Sequence, residues 1–316
     1  MEMRQLGSLW PVSALALGGG GLGQVWGATS RAEAVATARR AVDRGITLLD
    51  MAPSYGAGEA ESVIGEAFAG SLPPGVRVTT KHLLGNPPAP EVYTRLSASL
   101  AESLERLRLS RVDLFILHGM IDPGAPPGAT TRTSPETFAS AVVPAFQRLI
   151  EEGRIGAWGI TGIGVPSAII DALASRPPPA AVQCIANLLD SPGGMARFDE
   201  VPRPRSIIRA ARENGVGVLG IRAVQAGALT DAIDRDLPPE HPEARDYVRA
   251  APFRRLAAER GVSAAFLAHR YALSMEGVDS VVLGVKNVVE LDECLAAEAA
   301  GRLDSATIAA IYTAVA

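Results

Sequence analysis

The chain contains 316 residues, 47% of them hydrophobic, with 30 basic and 34 acidic side chains and a formal net charge of −4. This length is enough to bury one large core or two smaller ones. The balanced charge, without a basic stripe interleaved with aromatic residues, argues against nucleic acid or an anionic membrane surface as a partner.

The amino-terminal segment and the cysteines predict a cytoplasmic protein. No apolar run reaches the roughly 18 residues of a membrane-spanning helix. Ala14, Leu15 and Ala16 imitate a signal-peptidase site, but Pro11 and the glycines that follow interrupt the apolar stretch. Cys184 and Cys294 lie far apart and give neither a zinc-binding spacing nor a disulfide framework, so we expect a reducing compartment and no metal.

Eight short runs rich in apolar and β-branched residues predict strands. In chain order they cover residues 12–18, 45–50, 76–81, 112–118, 157–161, 181–187, 216–222 and 279–285.

Amphipathic segments between these runs predict helices, and they cover residues 30–44, 58–69, 90–108, 135–152, 166–175, 204–214, 249–274, 288–299 and 304–315. Ser30 and Glu33 form the sequence pattern of a capping box. The repeated alternation of strand and helix predicts a (β/α)8 TIM barrel in a single domain over residues 1–316. An open doubly wound sheet with two domains is the alternative, because the pattern alone does not distinguish a closed parallel sheet from an open one.

The glycine-rich run LALGGGGLG, residues 15–23, has the GxGxxG spacing of a dinucleotide-binding loop. In that motif a helix starts at the glycines, so that its amides face the pyrophosphate. Here the capping pattern places the helix start at Ser30, seven residues after Gly23. We therefore interpret Gly19–Gly23 as a loop at the active-site rim and reject the fingerprint.

Polar residues stand where predicted strands end, which is where barrel enzymes place their active sites. Asp50, Lys81 and His118 end the second, third and fourth strands, and Tyr55 follows Asp50 by five residues. Each has an ordinary alternative role in a turn, in packing or in solvent. Lysine is otherwise found only at Lys286, which suggests a task at Lys81 that arginine does not perform.

This set of side chains suits proton delivery to a carbonyl oxygen. Tyrosine ionises near 10 in water, and we expect an adjacent ammonium to lower the pKa of Tyr55 by favouring the phenolate. Asp50 would hold the lysine in place, and His118 would hydrogen-bond the same substrate oxygen. Tyr55 then becomes a general acid or base.

The residues also resemble a known family, the aldo-keto reductases. The resemblance lies in DMAPSYGAGEAESVIGEAF (50–68), TTKH (79–82), LFILHG (114–119) and VLGVKNVVELDECLAA (282–297), and it extends over nearly the whole chain. It implies a barrel in which Tyr55 donates the proton, Asp50 and Lys81 tune it, His118 orients the carbonyl, and a nicotinamide nucleotide supplies hydride.

The resemblance further implies a set of cofactor contacts at the strand ends and in the loops that follow: Gly19, Thr161, Gly162, Gln183, Arg222, Ala223, Gln225, Gly227, Leu229, Gly284, Lys286, Asn287, Glu290, Glu293 and Cys294. The same resemblance implies that Thr161 and Gln183 hold the carboxamide of the nicotinamide, and that Arg222 stacks on the nicotinamide ring or contacts a phosphate of the nucleotide. The helix after LGVKN offers its amides to the adenosine phosphate.

Cofactor and substrate remain open at this stage. Lys286 favours NADP(H), whereas a carboxylate at Glu290 would repel the 2′-phosphate, so NAD(H) is the alternative. Trp26 and Met120 are the candidate walls of a pocket for a small carbonyl, alcohol or sugar. The loops 119–134 and 230–247 would complete this pocket, and the protein would be a monomer or a small homo-oligomer.

Two other functions compete with carbonyl reduction. The first is a barrel lyase or aldolase that uses Lys81 as a Schiff-base nucleophile. The second is a non-catalytic or weakly catalytic nucleotide-sensing barrel.

Overall fold

The computed structural model describes residues 1–233 and 235–315, and in this part of the chain eight parallel strands close into a barrel. The strands, in chain order, are β1 (Met3–Gln5), β2 (Pro11–Ser13), β3 (Leu15–Gly18), β4 (Leu48–Asp50), β5 (Arg77–His82), β6 (Val112–Leu117), β7 (Met120–Ile121), β8 (Arg132–Thr133), β9 (Ile155–Thr161), β10 (Ala181–Ile185), β11 (Gly217–Ile221) and β12 (Ser280–Leu283). The barrel order is β3, β4, β5, β6, β9, β10, β11 and β12, with β12 pairing back to β3. The predicted closed barrel is confirmed, and the open two-domain sheet is wrong.

Thirteen α-helices lie in the described part of the chain, and most of them cover the outside of the barrel. They are α1 (Gly19–Leu22), α2 (Arg31–Asp43), α3 (Glu59–Phe68), α4 (Ala89–Leu107), α5 (Pro135–Thr137), α6 (Val143–Glu151), α7 (Pro166–Leu173), α8 (Pro204–Glu213), α9 (Pro242–Arg249), α10 (Ala251–Glu259), α11 (Ala264–Ser274), α12 (Val288–Ala299) and α13 (Ser305–Val315). Ser30 caps α2 by accepting the Glu33 amide, as the sequence predicts. No described helix is both long enough and apolar enough to cross a membrane.

The barrel interior is apolar at one end and polar at the other. Leu48, Leu114 and Leu219 form an inner cluster, which Leu6 and Val12 from the β1–β2 hairpin close at the amino-terminal end. Fully buried apolar side chains there supply stability in proportion to the area they remove from water. The buried polar side chains Asp50, Lys81 and Gln183 lie toward the carboxyl ends of the strands.

Four predicted segments differ in detail. The strand at 12–18 divides at Ala14, because residues 11–13 pair with β1 outside the barrel. The helix at 249–274 comprises α10 and α11, separated at Gly261, whose φ of +68° ends the first helix. The predicted loop at 230–247 includes the beginning of α9, and its residue 234 lies outside the described residues. The predicted loop at 119–134 contains the small parallel pair β7–β8.

The prediction that Gly19–Gly23 is a loop is wrong, because residues 19–22 form one helical turn, α1. Close packing explains the glycines. A Cβ on Gly21 would overlap the carbonyl oxygen of Val285, and one on Gly23 would lie 2.6 Å from the backbone of Tyr55. The turn is too short to form a nucleotide-binding helix terminus, so the rejection of the fingerprint stands.

We expect Gly21→Ala to destabilise the fold by about 1–3 kcal/mol, because backbone rather than a mobile side chain has to yield. Gly20→Ala is the matched control, since its Cβ would meet the indole of Trp26 instead. Denaturant unfolding of both variants measures the difference. Equal stability of Gly21→Ala and the unmodified chain would contradict this account of the glycines.

Candidate active site

The four side chains predicted from strand ends converge at the carboxyl end of the barrel. Asp50 ends β4, Lys81 lies near the end of β5, His118 follows β6, and Tyr55 occupies the loop between β4 and α3. Asp50, Tyr55 and His118 line a cavity of about 620 Å³. This volume is within the range of small-molecule and cofactor sites.

Lys81 is the centre of the polar cluster. Its Nζ donates to Asp50 Oδ2 at 2.9 Å, to the carbonyl oxygen of Met51 at 2.9 Å and to Tyr55 Oη at 3.2 Å. The three donors of the ammonium thus have three acceptors, although the side chain is fully buried. Burial lowers the pKa of Lys81, but Asp50 and Tyr55 outweigh it, so the pKa is raised and the group stays charged.

The expected net lowering of the Tyr55 pKa is wrong. Burial raises the pKa of Tyr55 and is the largest effect, the Lys81 ammonium lowers it, and Asp50 raises it, with a net increase. The contribution of the ammonium therefore has the expected sign, but desolvation of the phenolate exceeds it. Tyr55 is a protonated donor at neutral pH.

His118 faces the same space as Tyr55. The two rings meet edge to face with centroids 5.8 Å apart, and His118 Nδ1 lies 3.5 Å from Ser54 Oγ. Burial and, next, the Lys81 and His82 charges lower the pKa of His118 to about 3. The ring is therefore neutral at physiological pH and has no imidazolium proton to give.

The glycine-rich turn shapes this end of the cavity. Gly18, Gly19 and Gly20 line it, and a Cβ on Gly19 would lie 2.9 Å from Met51 Sδ and 3.1 Å from the Tyr55 ring. The missing side chain lets the Tyr55 loop approach the turn. Gly19, predicted as a cofactor contact, thus also supports the position of Tyr55.

Thr161 fits a ligand with hydrogen-bonding groups. It ends β9 and lines the cavity, and its buried Oγ1 has no hydrogen-bond partner among the described residues. A buried hydroxyl without a partner is costly and uncommon in a folded protein. The residue is therefore suited to a carboxamide, as predicted, whereas Gly162 does not line this cavity.

Gln183 has a contact that the sequence does not predict. It lines the cavity on β10, but its Nε2 donates to Asp50 Oδ1 at 2.7 Å. Each carboxylate oxygen of Asp50 therefore has a separate donor, Lys81 on one side and Gln183 on the other.

Arg222, a predicted cofactor contact, makes hydrogen bonds within the chain. Arg222 follows β11 with a φ of +59°, and its guanidinium donates to Glu243 at 2.8 Å and to Gln225 at 2.9 Å. Gln225 in turn donates to Asp246 at 2.7 Å. Arg222 lines the cavity and is also paired with Glu243, so the expected stacking or phosphate contact stays a prediction.

Among its predicted neighbours, Ala223 and Gly227 line the cavity, whereas Gln225 and Leu229 are fully buried and do not. The polar network around Arg222 fixes the loop after β11 to α9.

The amino terminus of α12 is filled by the chain's own side chains. Asn287 caps the helix by accepting the Glu290 amide at 2.9 Å, Glu290 accepts the Lys286 amide at 2.9 Å, and Glu33 accepts the Val288 amide at 3.1 Å. Glu290 also lies 3.4 Å from Lys286 Nζ. The amides predicted to hold an adenosine phosphate are thus bound to two carboxylates and an amide oxygen.

All but one of the remaining predicted cofactor residues lie along the same cavity. Gly284, Lys286, Glu290, Glu293 and Cys294 line it, and Asn287 does not. Glu293 accepts a hydrogen bond from Ser263, and Cys294 Sγ lies 3.6 Å from His269 Nε2, another lining residue. Burial raises the pKa of the Cys294 thiol, so this cysteine is a packing group at neutral pH.

Of the two residues predicted to form pocket walls, only Trp26 lines the cavity. Trp26 lines the cavity between Gly20 and Gly284. Met120 belongs to β7 and does not line the cavity, because β7 pairs with β8 and packs toward Gly164. Val25, Ile163 and Met195 supply apolar lining instead.

Sequence reasoning missed Glu33, Glu243 and His269. Each lies on a helix that does not contain the site residue it contacts: Val288 for Glu33, Arg222 for Glu243 and Cys294 for His269. Glu33 alone belonged to a recognised sequence pattern, the capping box of α2, and that pattern gave no reason to assign it to the site.

The fold and the site define a class: a parallel (β/α)8 barrel with a half-buried tyrosine, a buried lysine–aspartate pair and a neutral histidine at its carboxyl end. A family model for the aldo/keto reductase family matches residues 14–316. The chain belongs to the aldo/keto reductase family.

Two curated proteins and one solved structure are similar to this chain over most of its length. The chain is 29% identical over 301 residues to an L-galactose dehydrogenase from Arabidopsis thaliana, covering 94% of this chain and 88% of the relative. It is 28% identical over 246 residues to a D-threo-aldose 1-dehydrogenase from a Pseudomonas species, covering 70% and 68%. A Klebsiella pneumoniae aldo-keto reductase solved with NADPH shares the fold, with a TM-score of 0.70, 21% identity and 98% and 93% coverage.

Because the pKa of His118 lies at about 3, its ring resonance should hold a constant chemical shift from about pH 5 to pH 8. A proton NMR titration, with the resonance assigned from His118→Gln, measures this. A midpoint near 6.5 would show that the ring is not desolvated as described.

Proposed function

We propose that this chain is an NAD(P)-linked oxidoreductase that interconverts a carbonyl and the corresponding alcohol, with Tyr55 as general acid and base. The observation that carries the proposal is Lys81 Nζ, which joins Asp50 Oδ2 to Tyr55 Oη at the cavity. Membership in the aldo/keto reductase family supports the same reaction class.

A nicotinamide, when bound, supplies the hydride to the carbonyl carbon or accepts it from the alcohol carbon. Tyr55 donates its hydroxyl proton to the carbonyl oxygen as negative charge develops there. Lys81, held charged by Asp50, stabilises the phenolate that remains, and the neutral His118 orients the oxygen. In the oxidation direction Tyr55 accepts the alcohol proton, so turnover rises as pH increases toward the raised pKa of Tyr55.

The residues proposed to hold the nucleotide lie along the cavity wall. Thr161, whose buried hydroxyl has no partner in the described part of the chain, and Gln183 suit the carboxamide, and Lys286 lines the same cavity. NADP(H) is the proposed cofactor on the basis of Lys286. NAD(H) is the second candidate, because Glu290 pairs with that lysine and two carboxylates occupy the amides of α12.

The proposed substrate is a small carbonyl compound, an alcohol or a sugar. Relatives named for L-galactose and for a D-threo-aldose support the sugar class. The apolar lining at Trp26, Val25 and Ile163 suits the carbon face of such a molecule. A cytoplasmic location, supported by two free buried cysteines among the described residues, is also a proposal, as is a monomer or small homo-oligomer.

The lyase alternative needs a neutral amine at Lys81. The raised pKa of Lys81 and its three acceptors keep the amine charged, which favours the role beside Tyr55. The nucleotide-sensing alternative predicts binding without turnover, so it is decided by kinetics.

Tyr55→Phe should lower turnover by roughly two or more orders of magnitude and leave nucleotide affinity nearly unchanged, because it removes the proton and little else. Steady-state kinetics on a panel of carbonyls and sugars, with nucleotide titration by quenching of Trp26, measures both effects. Trp26→Phe is the control for the fluorescence signal. Near-normal turnover in Tyr55→Phe would reject the proposed role.

Glu290→Gln should raise the affinity for NADPH relative to NADH by roughly three- to tenfold, since it removes the carboxylate that pairs with Lys286 and would repel a 2′-phosphate. Glu293→Gln is the matched control, because Glu293 lines the same cavity but binds Ser263. Equilibrium titrations with both nucleotides give the ratio. An unchanged ratio in Glu290→Gln would remove Glu290 from cofactor selection.

A further inference from the structure

Asp50 has a second hydrogen-bond partner besides the catalytic lysine. Gln183 Nε2 donates to Asp50 Oδ1 at 2.7 Å, and Lys81 Nζ donates to Asp50 Oδ2 at 2.9 Å. All three side chains are almost completely buried, with exposures of 3% for Gln183, 2% for Asp50 and 0% for Lys81. The contacts therefore connect Gln183, Asp50, Lys81 and Tyr55 in one chain of hydrogen bonds.

This contact spans the barrel. Gln183 lies on β10 and Asp50 on β4, and four steps around the eight-stranded ring separate these strands in either direction. They are therefore opposite walls, and the amide reaches the carboxylate through the interior. A cavity-lining amide directed only at a ligand would not need this contact.

The orientation of the amide follows from chemistry. A carboxylate paired with an ammonium accepts hydrogen bonds and donates none, so the amide nitrogen rather than the oxygen faces Asp50. The torsion that turns an aspartate carboxylate is soft, and one partner on one oxygen leaves it poorly defined. Two donors on two oxygens define the plane of the carboxylate and direct Oδ2 at Lys81.

We propose that Gln183 is a positioning residue for the proton-transfer machinery: it fixes Asp50, and through Asp50 it sets the position and charge balance of Lys81 and Tyr55. The kinetic part of this inference rests on the proposed function. It is distinct from the cofactor contact expected of Gln183.

The electrostatic consequence has a definite sign. Asp50 raises the pKa of Tyr55, and an amide N–H directed at Asp50 offsets part of that negative charge. Removing the amide therefore leaves Tyr55 harder to ionise. A carboxyl group in its place would share a proton with Asp50 at neutral pH, and once it ionises at the alkaline pH where Tyr55 titrates, its negative charge strengthens the effect.

Two substitutions test this relation. Gln183→Met keeps the length of the side chain and removes the donor, whereas Gln183→Glu places a second carboxylate beside Asp50. The pH midpoint of kcat for alcohol oxidation should move upward by about half a unit in Gln183→Met. It should move further in Gln183→Glu.

Thr161→Val is the matched control. Thr161 lies next to Gln183 across the β9–β10 pair and lines the same cavity, but among the described residues its hydroxyl makes no hydrogen bond to Asp50. Both positions are expected to weaken nucleotide binding when substituted. Only the Gln183 variants should move the pH midpoint.

A second measurement uses the protein without cofactor. Because the sequence contains only two lysines, Lys81 and Lys286, lysine labelled with ¹³C at Cε gives one signal for each, and Lys286→Arg assigns them. The Lys81 signal should shift in both Gln183 variants and stay at its unmodified position in Thr161→Val. Near-ultraviolet circular dichroism establishes that each variant is folded.

If Gln183→Met weakens nucleotide binding but leaves the Lys81 signal and the pH midpoint unchanged, Gln183 is a cofactor ligand only and the inference is wrong. An unmodified protein without NAD(P)-linked turnover would instead overturn the proposed function. The Lys81 signal would still decide the role of Gln183 in that case.

Discussion

The buried ion pair between Lys81 and Asp50 is the constraint on which the rest of the site depends. Removing two charges from water is expensive, and a buried pair persists only when its remaining donors and acceptors are satisfied. Here the carbonyl oxygen of Met51, the Tyr55 hydroxyl and the Gln183 amide complete the set. The Tyr55 loop therefore lies where the Lys81 ammonium requires an acceptor. The glycines of α1 leave room for this loop to approach.

Local sequence patterns predicted the strands, the helices and the polar residues that meet at the carboxyl ends of the strands, and they favoured a closed barrel without excluding an open sheet. The strand and helix periods and the Ser30 cap depend on residues within a few positions, and the structure bears them out. Asp50, Lys81 and His118 could be found because parallel strands bring their carboxyl ends to one rim. Tyr55 followed from its spacing to Asp50 within a single loop.

Contacts between distant segments could not be predicted in this way. Glu33 reaches α12 across more than 250 residues, and Glu243 takes the guanidinium of Arg222 from a separate helix. The direction in which the pKa of Tyr55 shifts depends on whether the effect of burial is larger than the opposing effect of the Lys81 ammonium. Only the packed site determines that balance. Gly21 likewise gave no sign that the carbonyl oxygen of Val285, just after β12, lies against it.

The Gln183–Asp50 bond joins residues 133 positions apart on opposite walls of the ring. Contacts at such separation form late, because the entropy of closing the intervening chain is lost before they form. The ring itself closes only when β12, near the end of the chain, pairs with β3, near its beginning. A fragment holding the half of the ring from β3 to β6 would contain Asp50, Tyr55 and Lys81 yet lack the wall that carries Gln183, so formation of the Gln183–Asp50 bond during refolding reports closure of the whole ring.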